Sequence, residues 1–301
     1  MCATSTSSPA ASTGCASATP SSRRPCRAPG WWPNTAPGAA TGGGASRGPA
    51  SGELLHLDGS RHRWLALVPD QWFTLIAVVD DATKRLLYAQ LGAGGESVAA
   101  IMTALRAVLA HEGVPLALYT DRAHWAVHTP VAGGGPERRR LTQVGRALAR
   151  LGIEHILGYS PAARGRSERV NRTLQDRLVN ELRVANITTV IAAHRYVRER
   201  FIPAFNTELA RPLADPTSAC VPLGRVDLDQ ILCVEEERVV SRDNVVTLAG
   251  VALQVAKQPG RRSCAGLRVL VRRHLDGPYS IWYGARCLGR YDRQGRALQA
   301  A

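Results

Sequence analysis

The sequence predicts an α/β fold built on a mixed five-stranded sheet, followed by a small all-β region. Two observations lead to it. From residue 51 to about 186, apolar runs of strand length alternate with amphipathic stretches in the order βββ-α-β-α-β-α. After residue 225, short strand-like runs separated by Gly and Pro replace this pattern. Residues 187–224 between them are predicted to form a linking helix and connector.

The first region begins with three closely spaced strand-like runs, which predict an antiparallel meander. In the first run, Asp58 ends the strand and Gly59-Ser60 is interpreted as a turn. The predicted elements are strands at 53–58, 72–80 and 85–89, a helix at 97–111, a strand at 116–121, a helix at 141–151, a strand at 153–157 and a helix at 167–184.

Three acids occupy positions in this pattern that are typical of a metal-binding site. Asp58 ends the first strand, Asp121 ends the fourth, and Glu168 lies on the last helix. Carboxylates so placed can converge at one sheet edge and bind two hard cations, Mg²⁺ or Mn²⁺, through oxygen. Such a pair of ions supports phosphodiester chemistry. The alternative for each acid alone is structural: a strand-end Asp often forms a turn, and a helical Glu often pairs with a neighbouring base.

The charge of the chain favours a polyanionic partner. Lys and Arg number 38 against 24 Asp and Glu, a formal charge of +14. Nucleic acid or an acidic membrane surface would suit such an excess. No apolar run approaches the roughly 20 residues that span a bilayer, and no secretory signal is visible. Seven cysteines without a CxxC spacing fit a reducing cytoplasm.

Residues 1–50 differ from the rest and are predicted to be disordered. They contain no Val, Ile, Leu, Phe or Tyr and no acid, whereas small residues and Pro dominate. Such a segment cannot bury enough apolar surface to offset the entropy of ordering. Two interpretations stay open: a flexible basic arm that touches DNA phosphates, or a remnant such as a mis-assigned start.

Arginine clusters mark the surfaces expected to meet DNA. On the last predicted helix they recur at three-residue spacing after a flexible Arg-Gly pair, and others lie in a mobile loop at 127–140 and in the all-β region. The alternatives are an ordinary solvated helix face and a purely structural barrel. The predicted DNA-contacting residues are Arg164, Gly165, Arg166, Arg169, Arg172, Arg138, Arg139, Arg140, Arg261 and Arg262.

Four short strings, three of which contain one of these acids, resemble the integrase-core transposases of bacterial insertion sequences, most closely the ISNCY type. The resemblance implies an RNase H-like core at 51–186 with Asp58, Asp121 and Glu168 as its metal-binding DDE triad, and an SH3-like barrel at 225–301. It also implies nicking of transposon ends, transfer of the 3′-hydroxyl to target duplex, homo-oligomers on DNA, and a nucleoid-associated location in the bacterial cytoplasm. The strings span residues 57–60, 79–83, 119–122 and 160–169.

The sequence departs from that family at several points. Relatives usually carry Lys where Arg164 stands, and Arg changes the geometry of a phosphate contact. The helix-turn-helix modules that such transposases carry have no counterpart in residues 1–50. Two other functions therefore stay open: an inactive remnant that only binds DNA, and an RNase H-like nuclease that cleaves without joining.

Overall fold

The mixed five-stranded sheet is present in the computed structural model of the chain, which describes residues 50–128, 137, 140–158 and 161–298, with 161–169 as backbone only. In the order β3-β2-β1-β4-β5, β2 runs antiparallel to β1 and β3, whereas β4 runs parallel to β1 and β5. This arrangement fits the RNase H-like fold that the resemblance implies. The strands are β1 (Leu54–His62), β2 (Phe73–Asp80), β3 (Leu86–Gly92), β4 (Ala117–Thr120) and β5 (Glu154–Leu157).

Helices cover both faces of the sheet, which explains why every residue of β2 is buried. On one face, α1 (Val98–Glu112) and α2 (Gln143–Leu151) pack in a cluster that includes Leu55 and Leu57 of β1. On the other, the long helix α3 (Pro161–Val184) buries leucines spaced four residues apart. Among the described residues, no helix is long and apolar enough to cross a bilayer.

Two predicted boundaries were wrong. The turn at Gly59-Ser60 does not exist, because both residues continue β1 and pair with Ile76 and Leu75 of β2. Helix α3 begins at Pro161 rather than at residue 167, so Arg164 and Gly165 lie inside a helix and not in a flexible loop. A proline is well tolerated in the first turn of a helix, where its missing N–H costs nothing. Residues 1–49, predicted to be disordered, lie outside the described residues.

The segment predicted as a linking helix consists of α4 (Val190–Tyr196), a π-helical turn (Val197–Phe201) and α5 (Ile202–Leu209). It packs beside α3 and against β3, one of the two edge strands of the sheet. The side-chain amide of Asn206 donates to the carbonyl of Leu86 at 3.0 Å and accepts from its N–H at 2.7 Å. This pairing satisfies backbone groups that an edge strand would otherwise leave open.

The C-terminal region forms two small sheets around one apolar core. A four-stranded sheet has the order β11-β10-β9-β6, and β7 pairs with β8 in a separate hairpin. The region is mainly β, as predicted, apart from the short helix α6 near its start. Closure into an SH3-like barrel stays a prediction. The elements are α6 (Leu228–Ile231), β6 (Cys233–Val239), β7 (Val245–Leu248), β8 (Val251–Gln254), β9 (Arg268–His274), β10 (Tyr279–Tyr283) and β11 (Arg286–Tyr291).

A buried carboxylate fixes this region to helix α2. The Glu235 side chain is only 5% exposed, and three arginines surround it. Arg150 makes two parallel bonds to it at 2.6 and 2.9 Å, Arg272 one at 2.9 Å, and Arg146 lies 3.3 Å away. Gln143 bonds the backbone N–H and carbonyl of Glu235. The C-terminal region is therefore held to the sheet domain by charged and polar contacts of defined geometry.

Candidate active site

The register of β1 and β4 brings two of the predicted acids together. The strands are parallel, and their last paired residues are Leu57 and Thr120. Asp58 follows Leu57 and Asp121 follows Thr120, so the two acids lie on neighbouring strands directly after the last pair. Asp121 directly follows β4, as predicted, whereas Asp58 lies in the middle of β1, which continues to His62. The two carboxylates are close enough that Asp121 raises the pKa of Asp58.

Asp58 is held between two elements. Its Oδ1 accepts a 2.9 Å hydrogen bond from the N–H of Gly59, and its Oδ2 accepts one of 2.9 Å from the side-chain amide of Asn171 on α3. Burial and the negative charges of Asp121 and Glu96 outweigh these bonds and raise the pKa of Asp58 to about 6. The surroundings of Asp58 therefore disfavour its ionised form.

A third carboxylate at this site was missed in the sequence. Glu96 precedes α1, and its Oε2 accepts a 2.6 Å hydrogen bond from the indole N–H of Trp125. Burial raises its pKa, with a further contribution from Asp121 and opposing ones from Trp125 and His124. Gly59 makes room for it, since a β-carbon at that position would overlap the Glu96 carboxylate. A Gly-rich loop ahead of a helix gives no sequence signal for such a placement.

Asn171 was missed as well, and it fixes the approach of α3. Four residues further along the helix, Gln175 donates a 2.9 Å bond to the Ser60 hydroxyl, so two turns of α3 follow β1. Position 168 precedes Asn171 by three residues, a spacing that shares one helix face. The side chain of Glu168 lies outside the described residues, and its role stays a prediction. Its position one helical turn after Glu168, the predicted acid, was the sequence signal that could have identified Asn171.

Among the described side chains, no three His, Cys, Asp or Glu residues are arranged so that they could hold one metal ion, and Glu96 therefore does not complete a ligand set with Asp58 and Asp121. What the site offers is an oxygen-only donor set in Asp58 and Asp121, the type that Mg²⁺ and Mn²⁺ prefer. Burial and, after it, the negative charge of Asp121 raise the pKa of Asp58, and a divalent cation would offset the contribution of that charge. The residues present therefore fit a hard divalent ion.

A cavity of about 300 Å³ lies on the α3 side of Asp58. Its walls combine apolar β2 residues, such as Val79, with Asn171 and with the cationic Lys84 and Arg211. One of its acids, Asp80, is buried and accepts 2.7 Å bonds from the N–H groups of Gly52 and Thr83. Asp80 is thus a structural turn residue.

The predicted DNA-contacting residues are only partly described. Arg140, Arg172, Arg261 and Arg262 are exposed, and the Arg261 guanidinium lies 5.6 Å from the centroid of the Tyr283 ring. Gly165 is described as helix backbone alone. The remaining side chains lie outside the described residues: Arg138, Arg139, Arg164, Arg166 and Arg169.

No protein-family model matches the chain. Over 257 residues, 84% of its length, the chain is 32% identical to the Sinorhizobium fredii protein named "Putative transposase y4bF". The chain is similar to transposases over most of its length. It is also 32% identical over 158 residues, 52% of its length, to the transposase for insertion sequence IS1202 of Streptococcus pneumoniae. These matches span 55% and 33% of the two relatives, so the chain corresponds to about half of the first.

Solved structures give weaker likenesses. A simian T-cell lymphotropic virus intasome, in complex with the PP2A regulatory subunit B56 gamma, aligns over 85% of this chain and 82% of its own with a TM-score of 0.39 and 15% identity. The HTLV-2 integrase catalytic core in complex with magnesium (trimeric form) aligns over 50% and 87% with a TM-score of 0.37 and 14% identity. These TM-scores are too low to establish a common fold.

Proposed function

We propose that the chain is the catalytic part of a DDE transposase, a metal-dependent DNA strand transferase of the integrase-core type and the ISNCY-like group. It nicks transposon ends and transfers the 3′-hydroxyl to a target duplex. The proposal extends the transposase similarity, which covers only part of each relative. Its proposed partners are DNA and further copies of the chain assembled on it, in the bacterial cytoplasm at the nucleoid.

One observation carries this proposal: Asp58 and Asp121 leave a parallel strand pair side by side, and Asn171 of α3 bonds to Asp58. We propose Glu168, one helical turn before Asn171, as the third member of the triad. In this arrangement β1 and β4 would supply two carboxylates and α3 the third. Acyl transfer, by contrast, would need a nucleophilic side chain next to a base, and the described part of the site contains no such pair.

Two divalent cations, Mg²⁺ or Mn²⁺, would be held by Asp58, Asp121 and Glu168 and would supply the activation of water or a 3′-hydroxyl and the neutralisation of the leaving oxygen. The protein's own residues prepare this site. Asn171 orients the Asp58 carboxylate and favours its ionised form, and Trp125 holds Glu96 beside it. The neighbouring cationic side chains, among them exposed Arg172, would bind the DNA backbone.

A strand-transfer assay tests the proposal. The purified chain is incubated with Mg²⁺ or Mn²⁺, supercoiled plasmid, and a labelled duplex that carries the terminal repeats flanking its gene. We expect nicked ends and covalent joints between label and plasmid. Asp58→Asn, Asp121→Asn and Glu168→Gln should each lose both products by more than about 100-fold, while non-specific DNA binding persists.

Asp176→Asn is the matched control, because this exposed acid also lies on α3. It should retain both products. Nicks without joints would replace the proposal by an RNase H-like nuclease. DNA binding without either product, in both metals, would identify an inactive remnant. Full activity in Glu168→Gln would remove Glu168 from the triad.

A further inference from the structure

Glu96 is a half-buried acid near Asp58 that the proposed triad does not include. A β-carbon placed at Gly59 would overlap the Glu96 carboxylate. Because successive side chains of a strand point to opposite faces, this carboxylate lies across β1 from that of Asp58. Its partner Trp125 belongs to the apolar cluster between the sheet and α1 and α2, which is the same face. Glu96 is therefore close to the predicted metal ligands but separated from Asp58 by the strand itself.

The Glu96 side chain is held at both ends. The next residue, Ser97, is the N-cap of α1, and its hydroxyl accepts a 3.1 Å bond from the N–H of Ala100. At the other end, the Oε2 atom of Glu96 accepts the 2.6 Å bond from the indole of Trp125, and its Oε1 atom lies over Gly59. The position of this charge relative to β1 is therefore defined by the fold.

The bond to Trp125 also holds the segment that carries Asp121. This segment, 121–127, contains neither strand nor helix. The Oδ1 atom of Asp121 accepts a 3.0 Å bond from the N–H of Ala123, and Trp125, two residues further on, is only 1% exposed. Since the indole N–H donates to Glu96, the acid ties the Asp121 segment to the start of α1.

The charge of Glu96 acts on both predicted ligands. After burial, which is the main cause, the charges of Asp121 and then of Glu96 raise the pKa of Asp58. Burial likewise raises the pKa of Glu96, and the charge of Asp121 adds to that rise. Without a cation, three carboxylates so close together repel one another. A cation at Asp58 and Asp121 would reverse the sign of the Glu96 interaction, because opposite charges attract over the same distance.

We propose that Glu96 is a positioning residue for the divalent cation. It does not bind the ion itself. Its charge raises the affinity of Asp58 and Asp121 for Mg²⁺ or Mn²⁺, and its bond to Trp125 holds the Asp121 segment ready for binding. This inference rests on the proposed function for the metal site, although cation binding is measurable without DNA and without cleavage.

The test is a titration of the whole chain with Mn²⁺, in the absence of DNA, in which electron paramagnetic resonance reports the free ion. At about pH 8, Glu96→Gln should lower the affinity roughly 3- to 30-fold. The glutamine keeps an oxygen that accepts from Trp125 and loses only the charge. Glu154→Gln is the matched control, because this exposed acid pairs with Ala117 at the end of β4 away from Asp121. Its affinity should stay that of the wild type.

Thermal unfolding in chelator separates this role from a purely structural one. Without a cation, Glu96→Gln should melt at or above the wild-type temperature, because it relieves the repulsion from Asp58 and Asp121 and keeps the bond to Trp125. A lower melting temperature would assign Glu96 to the stability of the fold and overturn the inference. Trp125→Phe, which removes the donor, should both melt lower and bind Mn²⁺ more weakly.

The Mn²⁺ affinities also distinguish this inference from the proposed function. Equal affinities in the wild type and Glu96→Gln overturn the inference even where the wild type joins DNA ends. A weaker affinity in Glu96→Gln, with Glu154→Gln unchanged, supports it even where the wild type cleaves nothing. A wild type that binds no Mn²⁺ at millimolar concentration would overturn both.

Discussion

The side-chain amide of Asn171 and the carboxylate of Asp58 are joined by a 2.9 Å hydrogen bond across 113 residues of chain. This bond ties α3 to the middle of β1 at the point where the parallel pairing with β4 ends. It also favours the ionised form of a carboxylate whose pKa the rest of the site raises. Asn171 is thus a positioning residue for the proposed triad.

Asn171→Ala should therefore move the pH profile of DNA cleavage. Loss of the bond raises the pKa of Asp58, so the ionised form appears at higher pH and the acid limb of the profile moves upward. The cost in stability should be about 1 kcal/mol, the usual value for one hydrogen bond. Asn180→Ala, at an exposed position on the same helix, is the control. Coincident acid limbs for the two variants would exclude a role of Asn171 in ionising Asp58.

The charge of Asp58 should make the metal-free chain less stable as the pH rises. The pKa is about 6 in the folded chain against an ordinary value of 3.8, so between these values the folded state retains a proton that the unfolded state has released. The free energy of unfolding then falls between pH 4 and 6. The Asp58→Asn variant lacks this pH-dependent loss. Its free energy of unfolding, relative to that of the wild type, should therefore rise by roughly 1–3 kcal/mol between pH 4 and 6. Urea unfolding in chelator measures it; parallel curves for both proteins would refute the shifted pKa.

The buried cluster around Glu235 should be a large determinant of stability. Glu235→Gln leaves Arg146, Arg150 and Arg272 without their shared anion and should cost about 2–4 kcal/mol. Glu236→Gln on the same strand is the comparison. Glu236 and its partner Arg238 are 38% and 40% exposed, so that change should cost less than about 1 kcal/mol. Equal losses in urea unfolding would mean that the cluster does not hold the C-terminal region.

Gly59 should resist substitution because of its neighbour and not because of its own backbone. In Gly59→Ala the new methyl group overlaps the Glu96 carboxylate, which must leave Trp125 or push the strands apart. Because the Glu96 side chain can turn away, we expect a loss of about 0.5–1.5 kcal/mol, the usual value of the hydrogen bond to Trp125 that it would give up, and a drop in cleavage. Gly94→Ala, in the loop that carries Glu96, meets open space and should change stability by less than about 0.5 kcal/mol. Calorimetry gives the melting temperature of both variants. Similar melting temperatures would contradict the expected overlap between the new methyl group and Glu96.

The sequence predicted those parts of the fold that depend on local pattern. The apolar run before Asp121 ends where β4 ends, and the leucines of α3 recur at helical spacing, so both elements could be recognised. The end of β1 could not. Gly59 and Ser60 are typical turn residues, but here a neighbouring carboxylate requires a residue without a side chain inside a strand.

Some residues of the candidate site could likewise be predicted from the sequence, and others could not. Asp58 and Asp121 could be selected because each follows an apolar strand run. Glu96 could not, since only the packing of Trp125 brings a loop acid to the site. Glu235 belongs to a run of three glutamates that is typical of a solvated strand, yet its side chain alone is enclosed by arginines from α2 and β9. Contacts between distant segments leave no local pattern to recognise.

Strand β1 carries two chemically different surfaces, Asp58 toward α3 and Arg61 toward the opposite side, because the two residues are three positions apart on the strand. Parity therefore keeps acid and base apart: deletion of one residue between them would turn Arg61 onto the carboxylate's side of the sheet. Only two positions beyond Asp58, the guanidinium would then face the side of the sheet on which the Asp58 carboxylate lies. The length of this short stretch, as much as its composition, is thus constrained by the chemistry on either side of it.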